Sequence, residues 1–152
     1  MAIWLLDVNA LVALAWEEHA AHQRMIARMT RLDGDHWGTS TVTQLGFIRI
    51  SSMPGILRPA PAPNGARLAL SALLTHPMHR FLSDLPIPPV DMATEISVLR
   101  GHRQITDAYL IALARHHGAG ILTFDRGMHL TGDAAKRRST RLAERLTAAL
   151  AP

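Results

Sequence analysis

Three aspartates stand where an apolar run stops or a helix starts. Asp7 closes the run Ala2-Ile3-Trp4-Leu5-Leu6, and Asp125 closes Ile121-Leu122-Thr123-Phe124. Asp107 falls in the first turn of a helix-patterned stretch whose expected N-cap is Thr106. Carboxylates sharing one crevice repel each other unless a proton or a cation lies between them. Hard divalent ions such as Mg²⁺ or Mn²⁺ take oxygen ligands of this kind. A lone aspartate beside an apolar strand is more often a cap or a turn residue. Three of them in the same setting predict a metal site held by Asp7, Asp107 and Asp125.

That prediction depends on the elements that carry the acids. Strands alternating with helices predict a parallel sheet, and such sheets place their chemistry at the carboxyl ends of the strands. Ile121–Phe124 is the strand before Asp125. The preceding helix starts after Thr106, with Ile105 and Leu110 spaced as a hydrophobic staple, and ends at His116-His117-Gly118. After the first strand, Ala10–Trp16 and Glu18–Leu32 are expected helices, the second with Met25, Ile26 and Met29 on one face. Asp33-Gly34-Asp35 is a turn, His36–Thr39 a short strand, and Ser40 to Thr43 the cap of a helix over Val42–Ser52 that carries Gln44. The proline-rich stretch Arg58–Pro63 is a stiff connection inside the domain. Asn64 is the expected cap of a helix to about Thr75, Arg80–Leu82 a strand, and Asp91–Leu99 a helix. Ala134–Leu150 patterns as a basic helix.

The segments LLDVNALVAL (5–14), TQLGFIRI (43–50), HRQITDAYLIALA (102–114) and LTFDRG (122–127) resemble the motifs of PIN-domain ribonucleases, in particular the VapC toxins of bacterial toxin–antitoxin pairs. HPMHRFLSDL (76–85) resembles the middle segment of that family. The resemblance implies a three-layer α/β/α domain over residues 1–130 with a central parallel sheet of four to five strands. The basic helix in residues 131–152 falls outside the resemblance and is expected to pack on the same domain. The implied activity is that of a Mg²⁺- or Mn²⁺-dependent endoribonuclease toxin. The ion would lower the pKa of a bound water and stabilise charge on the phosphoryl oxygens, leaving 5′-phosphate and 3′-hydroxyl ends. The implied partners are an RNA substrate, a cognate VapB-like antitoxin whose tail enters the active-site groove, and a second copy of the chain in a homodimer.

Gln44 departs from the family pattern, which usually has a glutamate there as a fourth acid. Glutamine keeps a carbonyl oxygen but neither carries the charge nor acts as a base. An alternative therefore stands beside the nuclease: a catalytically weakened domain that binds RNA or protein. Asn9 and Thr106 are candidates to hold Asp7 and Asp107 in place. Arg126, directly after Asp125, and Arg103 are candidates to grip phosphate. A phosphatase with Asp7 as nucleophile in a D-x-D motif would need an acid at position 9, where this chain has Asn9.

The chain has 152 residues, enough for one domain with a single buried core. Basic residues outnumber acidic ones 16 to 12, and all but Lys136 are arginine. A basic body around an acidic pocket suits a polyanionic substrate. With no cysteine, there is neither a disulfide framework nor a thiolate zinc site. The histidines show no zinc-hydrolase spacing and are expected at the surface or in packing, as Tyr109 and the tryptophans are expected in the core. Asp7 and Asn9 interrupt the apolar stretch Ala2–Trp16, which argues against a signal or anchor helix and predicts a cytoplasmic protein without membrane attachment.

Overall fold

The structure is a computed structural model and describes residues 1–102 and 104–124. Strand β1 (Ile3–Leu6) sits inside a parallel sheet with β2 (His36–Thr39), β3 (His79–Phe81) and β4 (Gly120–Leu122), in the order β3-β2-β1-β4. The helices are α1 (Val8–Ala15), α2 (His22–Thr30), α3 (Thr41–Ser51), α4 (Pro63–Leu73), α5 (Ala93–Ile96) and α6 (Gln104–His116). This is the expected three-layer α/β/α arrangement, with four strands among the described residues.

Adjacent residues of a strand point to opposite faces of the sheet. Leu5 and Leu6 are both fully buried, and each anchors a different core. Leu6 packs with Ala10 and Leu11 of α1, Met25 of α2, Phe47 of α3 and Leu70 of α4. Leu5 packs with Leu110, Ile111, Leu113 and Ala114 of α6 and with Leu82. Burying a leucine contributes about 1.5–3 kcal/mol, so β1 is stabilised from both sides, as a central parallel strand requires. β4 fits against it because residue 120 is glycine: a Cβ there would lie 2.6 Å from the Trp4 ring.

Several element boundaries differ from the sequence reading. The helix expected from Glu18 starts at His22, because Trp16–Ala21 closes into turns in which the Trp16 carbonyl accepts from His19 N–H and the His19 ring accepts from Ala21 N–H. Asn64 is not the cap of α4. Pro63 occupies the first turn and holds Ala62 extended as the cap, leaving Asn64 to accept a bond from Arg67 Nε at 3.0 Å. The helix expected over Asp91–Leu99 is reduced to a 3₁₀ turn at Pro89–Asp91 and the single turn of α5. α6 begins at Gln104, two residues before the expected cap, so Thr106 lies within its first turn. Ile105 is consequently half-exposed rather than a staple. The predicted cap at Ser40 holds: its hydroxyl accepts from Thr43 N–H, and Thr43 returns the bond as a capping box. Arg103, Asp125, Arg126 and the expected C-terminal basic helix lie outside the described residues. Among the described residues, no helix is long and apolar enough to cross a membrane.

Candidate active site at the carboxyl edge of the sheet

The strand register fixes which residues meet at the edge. Leu5 pairs with Gly38, and Leu6 with Leu122. One residue beyond Leu6, Asp7 therefore emerges beside Thr123, and one residue beyond Thr39 the chain turns into α3, which carries Gln44. α6 returns to β4 against the strand direction, so its N-terminal turn, with Asp107, opens on this same edge. Asp107 is half-buried there. The structure thus brings Asp7 and Gln44 from one face, and Thr106 and Asp107 from the other, to the carboxyl edge of the sheet, and Thr123-Phe124 leads in sequence to position 125.

Asp7 is buried and caps α1, its Oδ1 accepting from Ala10 N–H at 2.6 Å. Its other oxygen accepts a short hydrogen bond from the fully buried Thr123 hydroxyl. Its own N–H donates to Leu122 O at 3.1 Å. The positive end of α1 favours a negative charge at this position, as α6 does at Asp107. The capping role and the ligand role do not compete. An ionised carboxylate offers about four lone-pair positions, so these hydrogen bonds are compatible with a cation. Among the described residues no group of three His, Cys, Asp or Glu side chains could hold a metal, and the third predicted ligand, Asp125, is not among them.

Thr123 was not singled out by sequence reasoning, nor was Arg28. The Arg28 guanidinium donates to the Thr123 carbonyl at 2.6 Å and stacks over the Phe124 ring at 4.7 Å, with Arg24 over the same ring at 5.2 Å. Two arginines of α2 therefore hold the segment that precedes Asp125. Asn9 is exposed in the first turn of α1, while Ala10 N–H and the Thr123 hydroxyl donate to Asp7. Thr106 is exposed.

Gln44 is half-buried, and its Nε2 donates to Thr39 Oγ1 at 2.9 Å. Thr39 Oγ1 lies 2.9 Å from His79 Nε2. Burial, and then the neighbouring Arg80 charge, hold His79 below the ordinary 6.5, against an opposing hydrogen bond to the Leu74 backbone. A neutral ring that also hydrogen-bonds the Leu74 backbone accepts the Thr39 hydroxyl at Nε2. Thr39 oxygen then accepts from Gln44, which turns the Gln44 amide oxygen away from Thr39.

Fold and edge together define an open parallel α/β domain whose carboxyl edge carries acids at the ends of β1 and the start of α6. The PIN domain family model matches residues 4–134, and the chain belongs to this family, on its VapC branch. It is 43% identical over 124 residues to Ribonuclease VapC38 of Mycobacterium tuberculosis (strain ATCC 25618 / H37Rv), covering 82% of this chain and 86% of that protein. It is 34% identical over 124 residues to Ribonuclease VapC39 of the same species (strain CDC 1551 / Oshkosh), with coverage of 82% and 89%. In fold it matches the crystal structure of M. tuberculosis VapC20, a Sarcin-Ricin loop cleaving toxin, with a TM-score of 0.61 and 18% identity over 86% of this chain and 95% of that one. It also matches VapBC2 from Rickettsia felis bound to a promoter DNA fragment, with a TM-score of 0.55 and 13% identity over 81% and 88%.

Proposed function

We propose that this chain is a Mg²⁺- or Mn²⁺-dependent endoribonuclease toxin, held in check by a cognate antitoxin. The observation that carries the proposal is Asp7, a buried carboxylate fixed by Ala10 N–H and the Thr123 hydroxyl at a sheet edge shared with Asp107. The relatives named as ribonucleases support RNA as the substrate, and the VapBC complex supports an antitoxin as partner. A buried carboxylate held rigidly, with further oxygen donors on the same edge, suits a hard divalent ion. Asp7, Asp107 and Asp125 would hold it, and when bound it would supply an activated water and neutralise charge on the phosphoryl oxygens.

The chain's own residues do the rest. Thr123 and the α1 N-terminus set the direction of the Asp7 oxygens. Arg28 holds the Thr123-Phe124 segment that precedes residue 125 in the chain. Gln44 contributes a neutral oxygen where the family usually has a charge, so the site carries one negative charge fewer. Arg126 and Arg103 remain the proposed phosphate contacts, and a homodimer the proposed assembly.

The test is cleavage of a mixed-sequence RNA in the presence of Mn²⁺. The expected result is 5′-phosphate products, abolished by EDTA and by Asp7→Asn, with a metal-dependent rise in melting temperature that Asp7→Asn removes. At a metal concentration a hundred times the Kd, linkage predicts about 2.7 kcal/mol of stabilisation. The second reading, an RNA- or protein-binding module, is favoured by Gln44 alone. It gains if wild type is inert and cleavage emerges only with Gln44→Glu.

A further inference from the structure

Beside the proposed reaction site lies a cavity of about 550 Å³ that the hydrolytic chemistry does not use. Its walls include Ile87, Met92, Ile96 and Ile105, and its polar groups come from Asp84, Thr106 and Tyr109. Val42 and Thr106, which also line it, lie in the first turns of α3 and α6, so the cavity lies next to the carboxyl edge of the sheet. Ligand pockets have this volume and this balance of apolar wall and few polar groups.

One polar group is oriented. The Tyr109 hydroxyl donates to Asp84 Oδ1 at 3.0 Å and accepts from Leu85 N–H at 3.4 Å. The Asp84 carboxylate is thereby held at the rim of an apolar slot. RNA-reading proteins take unstacked bases against apolar surfaces and bond their Watson–Crick edges. A carboxylate binds bidentately to two adjacent donors, and among the four bases guanine alone offers such a pair on its Watson–Crick edge, at N1–H and N2–H. Adenine and cytosine place a ring acceptor beside their amino group, and uracil flanks its single N–H with carbonyls.

We propose that this cavity takes one unpaired guanine of the RNA, its ring against Ile87, Ile96 and Ile105 and its N1–H and N2–H on the Asp84 carboxylate, and so sets where the strand is cut. The consequence for cleavage rests on the nuclease reading, but the binding itself does not. An apolar protein side chain would fill the same walls but would offer the rim carboxylate no donor.

The experiment uses the intact chain carrying Asp7→Asn, titrated without metal with guanosine, adenosine, cytidine and uridine 5′-monophosphates, while the methyl signals of Ile87, Ile96 and Ile105 are followed by NMR. The expected result is that the guanosine nucleotide alone moves these signals, and that Asp84→Asn, at an exposed position, weakens its binding about tenfold to a hundredfold. Equal affinity for all four nucleotides, or a guanosine affinity unchanged by Asp84→Asn, overturns the proposal. Signals that ignore guanosine but move with the apolar probe 1,8-anilinonaphthalenesulfonate assign the cavity to a protein side chain and overturn it too. Cleavage mapping on a random-sequence RNA separates the two readings. Efficient cleavage without guanine preference sinks the pocket and spares the nuclease, whereas guanosine binding without any cleavage does the reverse.

Discussion

Gly46 offers a test of how tightly the site is assembled. It lies inside α3, two residues after Gln44, and faces Val8, the residue after Asp7. A Cβ at position 46 would lie 2.5 Å from Val8 Cγ2 and 3.2 Å from Cγ1. Ordinary contact starts near 3.4 Å, so the first overlap is 3.4 − 2.5 = 0.9 Å. Val8 cannot swing aside cheaply, since a β-branched side chain in a helix has one strongly preferred rotamer. Overpacking of this kind costs about 1–3 kcal/mol. Alanine regains about 0.5–1 kcal/mol of helix propensity over glycine. Gly46→Ala should therefore destabilise by roughly 1–2 kcal/mol, lowering Tm by about 2–8 °C in a chain of this size. Far-UV circular dichroism melts measure it. Adding Val8→Ala should recover much of the loss, with a coupling of about 1 kcal/mol in the double-mutant cycle. Because α1 and α3 would separate between Asp7 and Gln44, RNA cleavage should fall further than the folded fraction does. A Gly46→Ala protein that melts above wild type, or two changes that simply add, would refute the contact and the placement of Gln44 that depends on it.

Three further outcomes follow from the same geometry. Thr123→Val removes a hydroxyl bonded to the buried Asp7 carboxylate and should cost about 1–3 kcal/mol in urea unfolding, with Thr123→Ser closer to wild type. Arg28→Ala loses the 2.6 Å bond to the Thr123 carbonyl and the Phe124 stack, so the Mn²⁺ concentration for half-maximal cleavage should rise about tenfold, as for other residues that orient ligands. An unchanged metal requirement would remove Arg28 from the site. The depressed pKa of His79 means the unfolded chain binds the proton more readily: its contribution to stability is full above about pH 6.5 and is lost as the pH falls toward the folded value. His79→Gln should accordingly flatten the acid side of the stability curve.

What was legible in the sequence was local. Asp7 could be read because a four-residue apolar strand ends at it and a helix begins, and both facts lie within a few residues. Ser40 with Thr43 was legible for the same reason. Thr123 was not, because its bond to Asp7 spans 116 residues and exists only if β4 lies beside β1. No spacing in the sequence gives strand order. Thr106 misled because a threonine before an apolar run has the form of a cap. Yet α6 starts at Gln104, whose Oε1 accepts from Arg100 N–H at 3.0 Å. Asn64 misled through its neighbour: Pro63, whose missing N–H would have no intrahelical partner anyway, takes the first helical position and makes Ala62 the cap, two residues before Asn64. The guanine cavity was invisible because its walls come from Val42, the 84–89 segment, α5 and α6, and the single turn of α5 was expected to be a longer helix.

Gln44 shows what the sequence says only in part. Read alone, it is the loss of a charge. In the fold it is also the gain of a donor, since its amide N–H starts a chain that runs through Thr39 to a neutral His79. Gln44→Glu removes that donor, and two acceptors would then face one hydroxyl. The Thr39 proton must turn to the new carboxylate, which leaves Thr39 oxygen as acceptor and asks His79 for an N–H at Nε2. With the ring also hydrogen-bonded to the Leu74 backbone, the imidazolium meets both demands. The substitution should therefore raise the His79 pKa, and the stability that wild type loses below about pH 6.5 should be lost less steeply in the variant. An NMR titration of the His79 ring in both chains reads this directly, alongside the expected gain in cleavage. A His79 pKa that stays put in Gln44→Glu would mean that Gln44 does not donate to Thr39, and the orientation of its amide oxygen toward the site would fall with it.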